Sequence, residues 1–359
     1  MGKSCAAGWR VFLTLTLLIA ALLPVYGKAF GELQPAGEME WKQVAASVER
    51  VYMAAVGVPV HSGSSLRQSA AGSGYTIAWL SDTQHYNGSL APIFHSMTGY
   101  LNEKQAALNI QYIAMTGDIV GSGGSTAQWM NARAAMDKIA HIPNGVLAGN
   151  HDHGKNSGLS NYKKYFGEKY YTGKPWYGGS YEDNRNHYDL MTLGATQYLF
   201  VYLSYQPGSD DIAWANRVFQ RYPERVGVLL THDYLDSNSH LRSNGKTLQE
   251  EIVKQNYNIY LVLCGHRYTE DNIPIRFDDD GDGATDRTVY QCIANYQNLG
   301  QGGGGYIRFL RIDEEKGTIR FYTYSPYLGV YRAPPERAKN PQDTWPIPWR
   351  MEEQESAAA

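Results

Sequence analysis

The sequence predicts an α/β fold in which two mixed β-sheets pack face to face and helices cover the outside. From Tyr75 to Leu263, short apolar segments alternate with segments of helical periodicity, a pattern typical of βαβ units. After Leu263 the segments are β-rich and no further helix is predicted, which indicates antiparallel strands. A βαβ region followed by a strand-rich region favours two packed sheets. Ligands of such folds bind in the crevice at the carboxyl ends of the strands.

The beginning of the chain is predicted to be a secretory signal, residues 1–27. Lys3 and Arg10 precede a mostly apolar run from Val11 to Val25, and small residues suited to cleavage follow, ending at Gly27. A membrane anchor is the alternative, but about 20 apolar residues are needed to span a bilayer, and this run is shorter. We therefore expect an exported protein, extracellular or periplasmic, without a stable membrane anchor.

The charge and the cysteines limit the classes of protein that remain. Removal of the signal would take away Lys3 and Arg10 and change the formal charge from −3 to −3 − 2 = −5. A mildly acidic chain argues against general nucleic-acid binding, which needs a basic face. Cys264 and Cys292 would remain, so stability must come from an apolar core more than from disulfides. The sequence leaves open whether the two cysteines are bonded.

Composition divides the rest of the chain into three parts. Residues 28–72 are predicted to be an N-terminal extension and connector, because their end is rich in Ser, Gly and Ala. Residues 73–331 carry the alternating pattern and form the predicted α/β domain. Residues 332–359 contain five prolines and are predicted to wrap over the surface and then to fray.

Hydrophobic periodicity predicts the individual elements of the domain in order. The strands are predicted at 75–80, 110–115, 145–147, 198–203, 226–230, 259–263, 287–294, 306–312 and 318–324. The helices are predicted at 92–108, 126–139, about 211–220 and 248–255.

Five of the predicted strands are followed by Asp, Asn or His. The segments are Asp82-Thr83-Gln84-His85, Gly117-Asp118, Gly149-Asn150-His151-Asp152, Thr231-His232-Asp233 and Cys264-Gly265-His266. Asn and Asp are also common in plain turns and helix caps, so no single segment is decisive. Side chains at strand ends are held rigidly, and carboxylates, amides and imidazoles can bind a metal or move a proton. Together they predict one catalytic site.

In this order, the five segments resemble those of the calcineurin-like metallophosphoesterase family. The family pattern is D-x-H, G-D, G-N-H-[DE], a lone His and G-H-x-H, and the resemblance spans roughly residues 74–270. It implies a four-layer α/β/β/α sandwich. It also implies two divalent metal ions, with Mn, Mg, Fe or Zn as candidates, and hydrolysis of a phosphate ester by a hydroxide that bridges the two metals.

The resemblance also implies roles for individual residues. Asp118 would bridge the two metals and Asp82 would bind only the first, metal A. Metal B would be held by Asn150, His232 and His266. The side chain that gives a proton to the leaving group would be His151, with Asp152 orienting it.

Two positions depart from the family pattern, and both belong to metal A. Gln84 and Tyr268 stand where the family has His. The amide oxygen of Gln84 is expected to replace one ligand, whereas Tyr268 is expected to line the pocket. His85 is a second candidate ligand, but in an extended chain it would point away from Gln84. An oxygen-rich, weaker metal A suits Mn, Mg or Fe better than Zn.

Two other segments allow alternative interpretations. The loop from Tyr170 to Tyr188 is rich in Gly, Tyr and Trp, and its Trp176 and Arg185 would line the substrate pocket if it overhangs the site; the alternative is a packed surface hairpin. Asp278 to Asp282 resembles a calcium loop, but the twelfth position is Val289 and no helices flank it. A hairpin turn is favoured there, with calcium as the alternative.

The predicted function is an exported, metal-dependent phosphoesterase acting on a small phosphorylated substrate. A phosphodiesterase or nucleotidase would use the same site and differ at its rim. A member of a different class, catalytically degraded, would only bind a phosphorylated ligand; the two departures at metal A favour it, and the intact Asp118 and His151 disfavour it. The sequence leaves open the substrate, the choice between monoester and diester, the native metals and the oligomeric state.

Overall fold

A computed structural model describes residues 74–333 and 344–350 of the chain. All of them belong to one compact unit, Gln68–Ala359. The predicted signal, the extension and most of the Pro-rich tail therefore lie outside the described residues.

The first β-sheet joins the beginning of the domain to its end. Its strands are β1 (Tyr75–Leu80), β2 (Ile110–Met115), β3 (Asn144–Val146), β11 (Ile307–Asp313), β12 (Thr318–Ser325), β13 (Val330–Arg332) and β14 (Thr344–Pro346). β1, β2 and β3 are parallel, and β1 also pairs antiparallel with β11. The order is β13-β12-β11-β1-β2-β3, with β14 also paired to β12. The sheet is therefore mixed, as predicted.

The second β-sheet is built from the middle of the chain. Its strands are β4 (Tyr177–Tyr181), β5 (Asn186–Leu193), β6 (Thr196–Leu203), β7 (Val226–Thr231), β8 (Ile259–Cys264), β9 (Thr269–Phe277) and β10 (Arg287–Asn295). The order is β4-β5-β6-β7-β8-β10-β9. β6, β7, β8 and β10 are parallel, and antiparallel strands close both edges.

The helices are short and lie between the strands. They are α1 (Ala91–Lys104), α2 (Thr126–Met136), α3 (Ser160–Phe166), α4 (Glu168–Tyr171), α5 (Ser209–Arg221) and α6 (Ser243–Leu248). A single 3-10 turn at Gln84–Asn87 precedes α1, and a π-helical turn at Gln249–Val253 continues α6. No helix among the described residues is long and apolar enough to cross a membrane.

The strands alternate between two apolar layers, and this alternation produces the sandwich. Ile77 and Trp79 of β1 belong to the core between the two sheets, whereas Ala78 and Leu80 belong to the core that also contains residues of α1 and α2. In β6 the residues of even number face the other sheet and those of odd number face the helices on their side. Two sheets flanked by helices result, which confirms the predicted four-layer fold.

Most predicted elements are present, with shifted ends. The helix predicted at 92–108 ends at Lys104, because the chain turns there and Asn109 adopts a left-handed conformation (φ 46°). The helix predicted at 248–255 begins at Ser243 instead. The helices α3 and α4 were not predicted, because their Tyr-rich segments show no clear period, whereas the hairpin β4–β5 corresponds to one of the two interpretations of the Gly- and Tyr-rich loop.

The two cysteines and part of the tail also have defined places. Cys264 and Cys292 are free and buried on the neighbouring strands β8 and β10. Residues 344–350 of the tail pack on the domain, where Trp345 is buried and the hydroxyl of Tyr290 donates a hydrogen bond to the carbonyl of Pro346 (2.7 Å). This part of the tail follows the surface, as predicted.

Candidate metal centre

The five polar segments meet at the carboxyl ends of the parallel strands of both sheets. Asp82 follows β1, Asp118 follows β2, and the turn that begins at Gly149 follows β3. His232 follows β7 and His266 follows β8 of the other sheet. The site therefore lies at the edge where the two sheets face each other, as parallel strand ends predict.

Hydrogen bonds between the segments join the two sheets at this edge. The backbone amide of His266 donates to both carboxylate oxygens of Asp82, each at 3.1 Å. His232 Nε2 lies 3.3 Å from Asp118 Oδ2 and 3.0 Å from Asn150 Oδ1. Five of the predicted ligands thus contact one another through three pairs, although the members of a pair lie up to 184 positions apart in the chain.

Three of the predicted ligands adopt a strained backbone conformation. Asp82, Asp118 and His266 have φ values of 54°, 50° and 67°, in the left-handed region. Such conformations cost on the order of 1–3 kcal/mol each and cluster at functional sites. Here the strained residues are three of the predicted metal ligands.

Two glycines of the motifs leave room for the carboxylates. A Cβ atom on Gly149 would lie 2.8 Å from Asp118 Cγ and closer still to the Oδ1 and amide nitrogen of Asp118. A Cβ atom on Gly265 would lie 2.5 Å from Ser81 Oγ and closer to Asp82 Oδ2. The glycines are therefore required by close approach of a ligand, and neither needs a positive φ.

The centre of the site attracts positive charge. Ligand atoms of Asp118, His232 and His266 lie within 4.8 Å of one another. Burial alone would lower the pKa of His232, yet the neighbouring carboxylate of Asp118 raises it to about 10. Burial would raise the pKa of Asp118, but His232 holds it below its ordinary value. The carboxylate of Asp118 thus favours a positive charge beside it. Burial and the charge of His232 lower the pKa of His266 to about 3, which keeps that imidazole neutral, as a metal ligand must be.

The tautomer of His232 suits metal binding as well. Its Nδ1 lies 2.8 Å from the carbonyl oxygen of Thr116, an acceptor, so Nδ1 carries the proton that it donates there. When the ring is neutral, its Nε2 lone pair then faces Asp118 and Asn150. Metal-bound imidazoles usually have their other nitrogen fixed in this way.

The Gln84 side of the site has an unsatisfied oxygen. Gln84 Nε2 donates to Asp118 Oδ2 (2.9 Å), while the buried Gln84 Oε1 has no hydrogen-bond partner among the described residues. Asp82 is buried too, and burial together with the charge of Asp118 raises its pKa to about 7. The unpaired amide oxygen of Gln84 is free to bind a metal, and a cation beside Asp82 would favour its ionised form. Both features therefore fit a second metal.

The prediction for Gln84 and His85 assumes an extended chain, on which the two side chains point in opposite directions. Gln84 is buried and His85 is exposed, so the two point differently. The segment is a 3-10 turn, not the extended chain on which that prediction rested. Tyr268 is 46% exposed, and its place in the substrate pocket stays a prediction.

His151 and Asp152 occupy different environments. His151 is exposed, its backbone amide donates to Asp118 Oδ1 (2.9 Å), and its Nδ1 lies 3.3 Å from the carbonyl of Gly121. Asp152 is fully buried and accepts hydrogen bonds from three backbone amides. These are Ile119 (3.1 Å), Val120 (2.9 Å) and Gly149 (2.8 Å). Asp152 thus joins the loop after β2 to the loop after β3, and the structure does not show it orienting His151.

The two proposed pocket residues of the Gly- and Tyr-rich loop lie elsewhere. Trp176 is buried, and its Nε1 donates to the carbonyl of Asn144 (3.0 Å). Arg185 pairs with Asp211 (2.8 Å) and Glu182 (3.0 Å). The segment forms the hairpin β4–β5, so the packed-hairpin alternative is the one observed, and the prediction that Trp176 and Arg185 line the substrate pocket is corrected.

The acidic segment forms the turn of the hairpin β9–β10, as favoured. Carboxylate atoms of Asp278, Asp280 and Asp286 lie within 4.8 Å of one another, and all three residues are exposed. Backbone amides of the turn already bond several of these oxygens, and Arg287 pairs with Asp279. Exposed carboxylates at such distances are common in turns, so the arrangement does not favour calcium.

One residue beside the centre escaped prediction. The ring of Tyr205 lies 5.8 Å from the ring of His232 and 5.7 Å from that of His266. It follows the end of β6, as the other site residues follow their strands, so its position was the available signal. A phenol gives less reason than a carboxylate or imidazole to suspect metal chemistry.

Comparison with known proteins agrees with this site. Residues 75–269 match the family model described as calcineurin-like phosphoesterase. Over 257 residues, or 71% of the chain, the sequence is 41% identical to the protein YvnB of Bacillus subtilis (strain 168), whose function is uncharacterized. The matched region is only 20% of the length of that protein.

The chain is also similar to solved structures at low sequence identity. The purple acid phosphatase PPD1 from yellow lupin (Lupinus luteus) seeds superimposes with a TM-score of 0.51 at 12% identity, over 77% of this chain and 54% of that one. A 5'-nucleotidase from Candida albicans SC5314 gives a TM-score of 0.43 at 10% identity, over 66% of this chain and 47% of that one.

Proposed function

We propose that this chain, which belongs to the calcineurin-like phosphoesterase family, is an exported phosphoric ester hydrolase that cleaves a small phosphate ester at the site of Asp118. The observation that supports this most is the convergence of Asp118, His232 and His266, whose ligand atoms lie within 4.8 Å of one another, beside the unsatisfied Oε1 of Gln84.

Six side chains would hold the metals. Asp82, Gln84 and the shared Asp118 fit metal A, and the shared Asp118 with Asn150, His232 and His266 fits metal B. When bound, two divalent ions supply a water of lowered pKa and positive charge for the phosphoryl oxygens.

The chain itself supplies positioning and a proton. Asp152 ties together the two loops that carry Asp118 and Asn150, so it holds both ligands through backbone bonds. Because Nδ1 of His151 faces the carbonyl of Gly121, its Nε2 is the nitrogen left to give a proton to the leaving oxygen. Tyr205 covers one side of the two imidazoles and limits the access of water to them.

Metal analysis paired with hydrolysis tests the proposal. The purified protein should bind up to two equivalents of Mn²⁺ or Zn²⁺ and should hydrolyse phenyl phosphate or bis(p-nitrophenyl) phosphate, and the preferred ester decides between monoester and diester. Asp118→Asn should lose most metal and nearly all activity, because the variant removes the charge shared by both positions. Asp210→Asn, which changes an exposed carboxylate of α5, is the matched control.

Two results would contradict the proposal. Normal metal content and activity in Asp118→Asn would remove the two-metal site. Tight metal and phosphate binding without turnover of either ester would favour the alternative, a member that only binds phosphorylated ligands.

Export is a separate part of the proposal and rests on the sequence of residues 1–27. Protein recovered from outside the cytoplasm should begin between about Lys28 and Gly31, because signal cleavage follows the small residues after the apolar run. N-terminal sequencing that finds Met1 on such protein would disprove it.

A further inference from the structure

A cavity of about 330 Å³ opens among residues that flank the metal centre. Six of its seven lining residues are polar, and the seventh is Pro207. This volume is at the small end of the range for ligand pockets, roughly 300–1,000 Å³, and suits one small group. None of the proposed metal ligands lines this cavity, so the metal centre does not account for it.

The chain connects this cavity directly to the metal centre. Asp233 of its wall follows His232, and Gln206 of its wall follows Tyr205, whose ring lies against both imidazoles. Gln206 Nε2 also donates to the hydroxyl of Tyr205 (3.1 Å). A phosphate ester bound at the metals could therefore extend its leaving group past Tyr205 into the cavity.

The charges in the cavity wall cancel. Asp233 Oδ1 lies 2.6 Å from Arg242 Nε, and the carboxylate is only 5% exposed. The contact lacks hydrogen-bond alignment, so both atoms are buried without a hydrogen-bond partner among the described residues. The Arg242 side chain is 32% exposed, so the arginine end of this ion pair is open to a molecule in the cavity, whereas the carboxylate end is buried. A ligand in the cavity can supply the missing bonds.

The remaining wall offers both donors and acceptors. Asn244 uses its Nδ2 on the carbonyl of Asp233 (2.7 Å), which leaves its Oδ1 as an acceptor. Ser243 and Thr247 contribute hydroxyl groups. A hydroxyl group of a ligand can both donate and accept a hydrogen bond, so it can bond to the donors and to the acceptors of the cavity wall. An anionic group would meet the carboxylate of Asp233, and an apolar group would offer no hydrogen bond to either member of the ion pair.

The backbone of Gln206 gives independent support. Its φ is 51°, in the same left-handed region as the metal ligands Asp82, Asp118 and His266. A non-glycine residue in this region is strained, and strain of this kind concentrates where a side chain is held for a ligand. The strain at Gln206 turns the chain from Tyr205 into the cavity wall.

We propose that the cavity lined by Gln206, Asp233, Arg242 and Thr247 is a subsite for a hydroxyl-rich leaving group, and that the substrate is a phosphate ester of a sugar or a polyol. The inference rests on the proposed function, because the leaving group reaches the cavity only from an ester bound at the metal centre. It goes further in assigning a chemical class to the alcohol.

Steady-state kinetics with three esters tests the subsite. The leaving groups of glycerol phosphate and of a hexose phosphate, a polyol and a sugar, carry further hydroxyl groups. The phenyl group of phenyl phosphate carries none. The natural protein should show a kcat/KM at least tenfold higher for one of the hydroxylated esters than for phenyl phosphate. Arg242→Gln and Thr247→Val should raise the KM of that ester about tenfold with a smaller change in kcat, and should shrink its advantage over phenyl phosphate.

Two controls keep the result interpretable. Arg217→Gln changes an exposed arginine of α5 far from the cavity wall and should leave all three esters unaffected. Thermal unfolding separates a folding defect in Arg242→Gln from a binding defect. Thr247→Val replaces one exposed hydroxyl group, which donates a long hydrogen bond to the carbonyl of Ser243 (3.4 Å), with a methyl group. A proportional loss for all three esters, or an equal or higher kcat/KM for phenyl phosphate in the natural protein, would overturn the subsite.

A binding measurement separates this inference from the proposed function. Calorimetric titration with the free sugar or with glycerol should show weak binding to the natural protein that is lost in Thr247→Val. If no ester is hydrolysed but this binding is present, the proposed hydrolysis fails and the subsite stands. If phenyl phosphate is hydrolysed and neither alcohol binds, the hydrolysis stands and the subsite is rejected.

Discussion

Gly149→Ala provides the sharpest test of how the metal centre is assembled, because the three atoms nearest to the added methyl group all belong to the ligand Asp118. Its Cβ would lie 2.8 Å from Asp118 Cγ, whereas ordinary contacts begin at 3.4 Å. Asp118 must therefore retreat by at least 3.4 − 2.8 = 0.6 Å, and the clash with its amide nitrogen prevents relief by a side-chain rotation alone. Gly149 does not have a positive φ, so the effect is purely steric.

The expected result is a large kinetic defect with a moderate stability defect. Overpacking of this kind costs about 1–3 kcal/mol of unfolding free energy. A displacement near 1 Å of a catalytic group costs about a hundredfold in rate, so we expect a loss of tenfold to a hundredfold in kcat/KM. Hydrolysis of an aryl phosphate, metal content and thermal unfolding are measured on the same preparations.

Gly99→Ala is the matched control. Gly99 lies within α1, and an added Cβ there meets nothing within 4 Å. This variant should keep full activity and gain about 0.5–1 kcal/mol, since alanine replaces glycine inside a helix. If Gly149→Ala binds metal and turns over like Gly99→Ala, the carboxylate of Asp118 is not where the reaction needs it, and the assignment of the site is refuted.

Three further predictions concern other parts of the molecule. Gln84→His with Tyr268→His should tighten the weaker of the two metals, and calorimetric titration that shows two equally tight sites in the natural protein would contradict this. Asp152→Asn should lose about 3 kcal/mol or more by denaturant unfolding, because an amide NH₂ would face backbone donors that a carboxylate now accepts from. His187→Phe should become more stable relative to the natural protein by about 2 kcal/mol between pH 7 and pH 5. Burial lowers the pKa of His187 to about 3, so only the unfolded chain takes up the proton as the pH falls below about 6.5. The nearby Asp189, whose pKa burial raises, is common to both proteins and cancels in the difference; an unchanged difference between the two pH values would show that His187 is hydrated.

The strand ends could be predicted from the sequence because their signals are local. A buried apolar run followed at once by Asp, Asn or His is visible in a few residues, and the order of the five runs carried the resemblance to the family. The glycines before Asn150 and His266 were visible as well, but their reason was not. Only the structure shows that each one touches a carboxylate that follows a different strand, Asp118 or Asp82.

What could not be predicted depends on contacts between distant segments. Asp152 belongs to a recognised motif, yet its partners include the amides of Ile119 and Val120, more than thirty positions earlier. The cavity brings Gln206 next to Arg242 from two loops that carry no motif. Trp176 shows the opposite error, because an aromatic residue in a Gly-rich segment suggested an open pocket and lies buried instead.

The site owes its existence to the packing of one sheet on the other. The first sheet delivers Asp82, Asp118 and Asn150, and the second delivers His232 and His266. Neither sheet holds enough nitrogen and oxygen ligands for two metals, so the ligands converge only when the apolar core between the sheets is formed.

The same geometry explains why the charges favour a cation. The carboxylates of the first sheet are buried where the imidazoles of the second meet them, and the pKa of His232 rises because its proton supplies the missing positive charge. A metal that replaces this proton would satisfy the carboxylates of both positions. Metal binding should therefore stabilise the contact between the sheets as well as create the reactive centre, since the ligands of one ion come from both.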